Sequence, residues 1–148
     1  MSVIKEREAP HGRELYRHFR RITTRWMDND AYGHVNNVVY LGWFDTVVNE
    51  FLIRAGVLDP HQGSVVGFVV ETQCRYLAPL AFPQRIEAGL RVAHVGKSSV
   101  RYEIAVFAEG EGSASAQGHF VHVYVDRTTR APVALPAPLR AALQELAP

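Results

Sequence analysis

WMDNDAYGHVNNVVYLGWF, residues 26–44, is the stretch that decides the fold of this 148-residue chain. Its first half concentrates polar and ionisable side chains, namely Asp28, Asp30, His34, Asn36 and Asn37. Aspartate and asparagine favour turns and helix N-caps, so a purely structural role is one explanation for each of them. One helix start needs only one capping residue, however, so capping does not explain all five of these side chains. The stretch therefore predicts a polar loop at the start of a helix, where chemistry on a carbonyl group is possible.

The helix itself is predicted over residues 37–55. At 100° per residue an apolar face covers nearly half of its circumference, formed by Tyr40, Leu41, Phe44, Val47, Val48, Phe51, Leu52 and Ala55. Gly56 stands where a glycine commonly ends a helix. Polar residues interrupt the apolar run well before the ~20 residues of a membrane span. The pattern indicates an amphipathic helix buried in a protein core.

Composition limits the class of protein. With 47% hydrophobic residues and a net charge of +1, we expect one globular domain over residues 1–148 and no nucleic-acid partner. The single cysteine, Cys74, has no disulfide partner in the chain, and no set of metal ligands is evident. The first ten residues lack the apolar core of a secretion signal. We therefore predict a cytoplasmic protein with no metal and no cofactor.

Alternation of apolar and polar residues predicts five strands. The first covers about residues 18–26, ends at Trp26, and follows a polar segment, residues 1–17, that we expect to be loosely held. The second covers residues 65–76. Its alternation predicts one face with Val66, Phe68, Val70, Cys74 and Tyr76, and an opposite face with Glu71, Gln73 and Arg75.

Three more strands follow at about residues 84–95, from about residue 99, and at residues 115–126, with a short helix after Pro138. Short turns join them, and tight hairpins require antiparallel neighbours. A 19-residue helix is about 28 Å long, and a ten-residue strand is about 33 Å long. One curved sheet can therefore cover the helix. We predict an α+β fold in which a five-stranded antiparallel sheet wraps around one long central helix and exposes its charged face to water.

The order of strand, D-x-D-x-x-G-H-V-N-N-x-x-Y motif, long helix and four strands resembles the hotdog-fold acyl-CoA thioesterases, in particular the 4-hydroxybenzoyl-CoA thioesterase-like group. The motif covers Asp28 to Tyr40, and weaker support comes from residues 71–79 (ETQCRYLAP), 95–100 (VGKSSV) and 118–126 (GHFVHVYVD). The resemblance implies a hotdog fold, hydrolysis of acyl-CoA, and a homodimer or homotetramer with active sites between subunits.

In that family the second aspartate of the motif is the catalytic carboxylate, which implies Asp30. The electrophilic group is a backbone amide at the helix start, here near Asn37. Related plant acyl-carrier-protein thioesterases carry D-x-N-x-H, which places a catalytic histidine at His34, whereas Tyr32 departs from their pattern. We predict substrate contacts for the motif residues Tyr32, Gly33, Asn36 and Tyr40.

The chemistry of thioester hydrolysis supports these roles. Unpaired N–H groups at a helix start stabilise the oxyanion, and one such donor contributes roughly 3–4 kcal/mol in comparable enzymes. Asp30 can attack the acyl carbon or accept a proton from water, and both routes stay open. A thiolate leaves readily, so no catalytic triad is needed, and the serines at positions 98 and 99 lack a nucleophile-elbow context.

Three residues outside the motif are further candidates for substrate binding. Glu71 is a rival carboxylate, while Arg75 and Lys97 can pair with coenzyme A phosphates. Two alternatives to the thioesterase remain. A hydroxyacyl-thioester dehydratase needs a histidine paired with a carboxylate, which His34 beside Asp30 could supply. A non-catalytic acyl-CoA-binding module is the other, since a fold alone does not establish activity.

Overall fold

The computed structural model describes residues 8–148 of the chain. Within them, five strands form one antiparallel sheet in the order β1-β3-β4-β5-β2. A long helix, α1, packs on one face of the sheet, so the predicted α+β architecture is confirmed. In chain order the elements are β1 (His18–Thr23), α1 (Asn37–Arg54), β2 (Val65–Tyr76), β3 (Arg85–Val95), β4 (Ser99–Ala108), β5 (Ala116–Asp126) and α2 (Ala137–Gln144).

Helix α1 begins at the predicted residue and ends one residue earlier than predicted, at Arg54. The Asn36 side chain accepts a hydrogen bond from the Val38 N–H (3.1 Å) and caps its start. Gly56 follows its end with φ 72°, the left-handed conformation that glycine adopts without steric cost. Phe51, predicted to be buried, is half-buried at the side of the helix. The fully buried side chains are Tyr40, Trp43, Phe44, Val47, Val48 and Leu52, of which Trp43 was outside the predicted face.

The core lies between α1 and the inner face of the sheet. The predicted alternation of β3 and β4 is confirmed, since Ile86, Ala88, Leu90, Val92, Val100, Tyr102, Ile104 and Val106 are buried. The Phe44 ring of α1 meets the Phe120 ring of β5 with centroids 5.7 Å apart. Apolar area removed from water on both surfaces is the main term that holds helix and sheet together.

A bulge at Val70 interrupts β2, because the pairing with β5 steps from Val69 directly to Glu71. An extra residue reverses the side of the sheet on which the following side chains lie. After the bulge, Cys74 and Tyr76 face α1. Val66 and Phe68, which precede the bulge, were predicted to share the face of Cys74 and Tyr76. That prediction is wrong, because the register places Val66 and Phe68 on the outer face.

Strand β1 is shorter than predicted. It ends at Thr23, and Trp26 begins a 3₁₀ turn over Trp26–Asp28 in which its side chain is 76% exposed. The strand prediction fails here because the alternation continues past the point where the chain turns away from β3, whose pairing with β1 stops at Arg85.

The outer face of the sheet is also partly covered. Residues 8–17 lie across it, and the Tyr16 ring is buried against the Phe107 ring. The buried Gln117 side chain accepts the His11 N–H (2.8 Å) and donates to the Ala9 carbonyl (3.1 Å). The prediction of a loosely held segment is therefore wrong for residues 8–17, while residues 1–7 lie outside the described part of the chain.

Candidate functional site

The two aspartates of the motif lie in different environments. Asp28 is 1% exposed and caps the 3₁₀ turn that precedes the loop. Its carboxylate accepts the Arg25 N–H (2.7 Å) and two guanidinium N–H groups of Arg25 (3.0 and 2.9 Å). Every hydrogen bond that the Asp28 carboxylate accepts comes from Arg25 at the start of the same turn, so Asp28 has a structural role.

Asp30 lies in a tight turn that leaves part of its carboxylate free. One carboxylate oxygen accepts the Tyr32 N–H (2.9 Å), and the Asp30 carbonyl accepts the N–H of Gly33, whose φ is 82°. The Asp30 N–H in turn donates to the His34 carbonyl (2.9 Å). Among the described residues, no hydrogen bond reaches the second carboxylate oxygen, which is therefore available to a substrate or a water.

Both ends of this loop are anchored. The Asn29 side chain accepts the Phe82 N–H (3.0 Å), and the Val35 N–H donates to the Leu80 carbonyl (2.7 Å). The Asn36 N–H donates back to the Asp28 carbonyl (2.8 Å). These bonds hold the Asp30 turn at a fixed position relative to the start of α1.

The start of α1 presents a free donor. The Val38 N–H bonds to the capping side chain and the Val39 N–H to the carbonyl of Asn36. Within residues 8–148, the Asn37 N–H donates no hydrogen bond. The aligned peptide dipoles of a helix add positive potential at this end. Asn37 therefore offers a backbone donor for a carbonyl oxygen that acquires negative charge.

A cavity of about 390 Å³ lies beside this helix start. It is lined by His34, Asn37, Tyr40, Tyr76, Leu77 and Pro79. The Tyr76 hydroxyl donates to the Asn37 carbonyl (2.8 Å), and its ring stands at 89° to the Tyr40 ring with centroids 5.0 Å apart. Asp30 is adjacent in the loop but does not line the cavity. The helix start and the end of β2 thus form one wall of a cleft that remains open on its other side.

Burial sets the protonation of the groups in this wall. It raises the pKa of Tyr40 to about 12 and the pKa of the Cys74 thiol to about 11, and it raises the pKa of Tyr76 as well. At neutral pH all three groups keep their protons. Cys74 therefore supplies no thiolate nucleophile, and the tyrosine hydroxyls act as hydrogen-bond donors.

The predicted site residues lie in four places, three of which are on or near β2 and the helix start. His34, Asn37 and Tyr40 line the cavity, while Asp30, Tyr32, Gly33 and Asn36 lie in the adjoining loop. Glu71 and Arg75 lie on the outer face of the sheet, opposite the helix. There the Glu71 carboxylate bonds to the His119 imidazole (2.9 Å) and Arg75 pairs with Glu8 (3.1 Å).

Lys97, the third predicted contact outside the motif, lies at the far end of the sheet. Its turn bonds to β5 at Tyr124, whereas the cavity residue Tyr76 pairs with β5 at Ala116. That separation along an antiparallel strand is about 27 Å. Within one chain, Lys97 is therefore not brought to the cavity.

Sequence reasoning missed Tyr76 as a site residue. Its signal was present, since it is an aromatic residue within residues 71–79, one of the stretches that carry the family resemblance. The bulge at Val70 and the hydroxyl bond to the Asn37 carbonyl make it part of the site, and neither follows from the sequence pattern.

Neither a metal site nor a membrane-spanning helix is found among the described residues. No group of three or more histidine, cysteine, aspartate or glutamate side chains is placed to hold a metal ion within residues 8–148. Among the helices of that region, none has the length and apolar character to cross a membrane.

Comparisons with known proteins agree with this fold. The family model of the thioesterase-like superfamily matches residues 24–143, whereas curated proteins give no match. The solved structure of the PA5185 protein from Pseudomonas aeruginosa is 57% identical, with a TM-score of 0.91 over 95% of this chain and 97% of that chain. A second protein from that organism, PA2801, is 26% identical, with a TM-score of 0.80 over 86% of this chain and 98% of that chain.

A more distant structure shares the fold. Slr0204, a 1,4-dihydroxy-2-naphthoyl-CoA thioesterase from Synechocystis, is 16% identical, with a TM-score of 0.79 over 86% of this chain and 96% of that chain. The family match extends from the end of β1 to α2 and includes the whole motif loop and the cavity wall. The chain therefore belongs to the thioesterase-like superfamily and has the hotdog fold.

Proposed function

We propose that this protein hydrolyses acyl-CoA thioesters to the free acid and coenzyme A. The observation that carries the proposal is that one anchored loop presents both a free Asp30 carboxylate oxygen and an Asn37 N–H that donates no hydrogen bond. The first group can act on the acyl carbon or on water, and the second on the acyl oxygen.

In the proposed reaction the Asn37 N–H donates to the thioester carbonyl oxygen. As the carbonyl carbon becomes tetrahedral, that oxygen gains negative charge, and the hydrogen bond and the helix dipole stabilise it more than they stabilise the substrate. A donor of this kind lowers the barrier by roughly 3–4 kcal/mol. The Tyr76 bond to the Asn37 carbonyl holds the next peptide unit, between Asn37 and Val38, and so helps to keep residue 37 in place.

Asp30 takes one of two routes in the same site. As a nucleophile, it forms an acyl-aspartyl anhydride and expels the thiolate, and water then cleaves the anhydride to acid and regenerates the carboxylate. As a general base, it accepts a proton from the water that attacks the carbonyl carbon, and the thiolate leaves with the electron pair of the C–S bond. His34 lines the cavity beside it, where it either takes part in proton transfer or orients the loop.

Substrate contacts are proposed from the residues around the cavity. Tyr40 forms the wall behind the helix start, and Asn36 holds the first turn of the helix. Tyr32 is 88% exposed and Gly33 is exposed, so the tip of the Asp30 turn is accessible to the pantetheine arm.

We also propose that the active form is a homodimer or homotetramer. Strand β2 is an edge strand of the sheet, and three neighbouring apolar residues are exposed on it: Phe68 (43%), Val69 (47%) and Val70 (60%). Unpaired edges with apolar side chains tend to pair with another strand, and closed two-fold pairing is the commonest solution. A second copy would close the open side of the cavity.

Antiparallel pairing of two β2 strands also reverses the ends of the second copy. Lys97 of that copy then approaches the helix start of the first, where its ammonium can pair with coenzyme A phosphates. Glu71 and Arg75 remain on the outer face in each copy, so their contact with substrate requires the nucleotide to reach the side of the joined sheet that faces away from the helices.

A hydrolysis assay with product identification tests the proposal. Thiol release from a panel of short, branched, aromatic and long acyl-CoAs should be catalytic for at least one substrate, with free acid as the co-product. Formation of an unsaturated thioester from a hydroxyacyl-CoA would instead indicate a dehydratase. Saturable acyl-CoA binding without thiol release would indicate a binding module, and either result would overturn the proposal.

A further inference from the structure

A second cavity, of about 490 Å³, lies on the outer face of the sheet, on the side away from α1. The antiparallel register forms its floor by placing in one row Glu103 of β4, His119 of β5 and Gln73 of β2. Residues 8–17 cross the same face and supply one wall, which includes Glu8. No residue that lines the cavity at the helix start also lines this one. Its volume lies within the range of sites that hold small molecules.

The protein itself holds most of the polar groups in the floor. The Glu103 carboxylate is paired with the Arg91 guanidinium (2.8 Å). The His119 imidazole is bonded to the Glu71 carboxylate (2.9 Å). The buried Gln117 amide is bonded on both sides to the segment that forms the wall. Both carboxylates therefore already have partners, and the floor is held in one geometry.

Hydrogen-bond donors remain unused around the cavity. Arg101 forms no hydrogen bond within the described residues, and its one ion-pair contact there is with Glu103, at 3.6 Å. The exposed Gln73 amide also forms no side-chain hydrogen bond in that part of the chain. Arg75 is paired there only with Glu8 (3.1 Å). Since guanidinium groups present several donors that fit carboxylate and phosphate oxygens, the cavity matches a ligand with anionic oxygens.

The Glu8 carboxylate stands where an anionic group of such a ligand would bind. It lies 3.1 Å from the Arg75 guanidinium and 3.4 Å from the His11 imidazole. The Glu8 side chain is 43% exposed, and exposed ion pairs of this kind contribute little to stability. An anion from solution can therefore displace Glu8 and take its place at Arg75.

We propose that this cavity binds a phosphate-bearing anion through Arg75 and Arg101, with the Gln73 amide as a further donor. Two guanidinium groups from different strands favour a phosphate over a lone carboxylate, because a phosphate carries more anionic oxygens and more charge. Two sources can supply it. One is the nucleotide of the thioester substrate, which would reach this face around the end of β2, and the other is a separate small molecule.

Either source has a direct connection to the hydrolytic site. Arg75 and Tyr76 are consecutive in β2 and lie on opposite faces of the sheet. The Tyr76 hydroxyl donates to the Asn37 carbonyl. A ligand held by Arg75 therefore binds one residue away from a side chain that contacts the helix start.

Calorimetric titration with pyrophosphate and with adenosine 3′,5′-bisphosphate tests the cavity without any catalytic step. At least one of them should bind at one molecule per chain, and more weakly at higher ionic strength. Arg101→Gln should weaken that binding about tenfold, the loss expected for a hydrogen bond to a charged group. Arg21→Gln is the matched control and should bind as the parent does, because Arg21 is exposed on the same face but does not line the cavity.

The Glu8→Gln variant gives a test of opposite sign. Removing the carboxylate that competes for Arg75 should strengthen phosphate binding about threefold. The inference would be overturned by no saturable binding of either probe, by Arg101→Gln binding as tightly as the parent, or by weaker or unchanged binding in Glu8→Gln. Equal losses in Arg101→Gln and Arg21→Gln would show only non-specific attraction to surface charge and would overturn it too.

Kinetics on two thioesters decides the source of the phosphate, and this arm rests on the hydrolysis proposed above. If the phosphate belongs to the substrate, Arg101→Gln should raise KM for an acyl-CoA about tenfold more than KM for the same acyl group on pantetheine, which lacks the nucleotide. If it belongs to a separate molecule, pyrophosphate should change the rate of pantetheine thioester hydrolysis in the parent and in Arg21→Gln, but not in Arg101→Gln. The absence of both responses would overturn a role of the cavity in hydrolysis. A protein that hydrolyses no thioester would contradict the proposed function, whereas the calorimetry would still decide whether the cavity binds phosphate.

Discussion

Replacing Asp28 by asparagine should destabilise the protein without removing its chemistry. The Asp28 side chain is 1% exposed and accepts three hydrogen bonds from Arg25 at 2.7–3.0 Å. Asparagine keeps an oxygen for the Arg25 N–H but turns an NH₂ group or a neutral oxygen toward the guanidinium. A hydrogen bond to a charged group contributes roughly 1.5–3 kcal/mol. Because the Arg25 side chain is 65% exposed and regains water, we expect a total loss of about 1.5–3 kcal/mol.

For a chain of this size that loss lowers Tm by roughly 3–12 °C. Asp30→Asn is the matched control, since its side chain lies in a half-exposed turn and asparagine can still accept the Tyr32 N–H. Its free energy of unfolding should change by less than about 0.5 kcal/mol. Thermal unfolding and thiol release are measured on both variants. The division between a structural and a chemical aspartate is refuted if Asp30→Asn is the less stable variant, or if folded Asp28→Asn has no activity.

Three other predictions concern assembly, coenzyme binding and the cysteine. Light scattering should give a mass that is a multiple of 16.6 kDa at micromolar concentration, and a monomer alone would contradict the pairing of β2 edges. Lys97→Ala should raise KM for an acyl-CoA more than it lowers kcat, as loss of uniform binding does, and an equal effect on a thioester without the nucleotide would argue against that contact. Because burial raises the pKa of Cys74 to about 11, iodoacetamide at pH 7 should leave thiol release intact, and reaction should accelerate only as alkaline pH ionises the thiol; rapid inactivation at pH 7 would contradict this.

The fold could be predicted because hydrophobic periodicity and local breakers agree over most of the chain. Helix α1 follows from its apolar face and from Gly56, and β3 and β4 follow from strict alternation. Trp43 was missed because it lies outside the apolar stripe, and its burial beside the Tyr40 ring (centroids 5.0 Å apart) depends on tertiary packing. The bulge at Val70 was missed because a single extra residue leaves no mark on an apolar run.

The site could be predicted only where it is local in sequence. The motif places Asp30, His34 and Asn37 within one loop and one helix start, and the structure keeps them together. Tyr76 reaches the same cavity through the sheet register, a non-local property that the pattern of β2 does not contain. The sequence placed Glu71 on the polar side of β2 and left it as a rival to Asp30, whereas its bond to His119 on the outer face depends on the same register.

Thiol release by Asp30→Asn and Glu71→Gln, measured side by side on the best acyl-CoA substrate, tests the central claim most directly. Both changes keep the shape of the side chain and remove its charge. Turnover of Asp30→Asn should fall by about 10²–10⁴, the range for losing a general base or nucleophile. Turnover of Glu71→Gln should fall less than tenfold, which corresponds to an increase of less than about 1.4 kcal/mol in the activation barrier. Near-normal turnover of Asp30→Asn with loss of activity in Glu71→Gln would contradict the account.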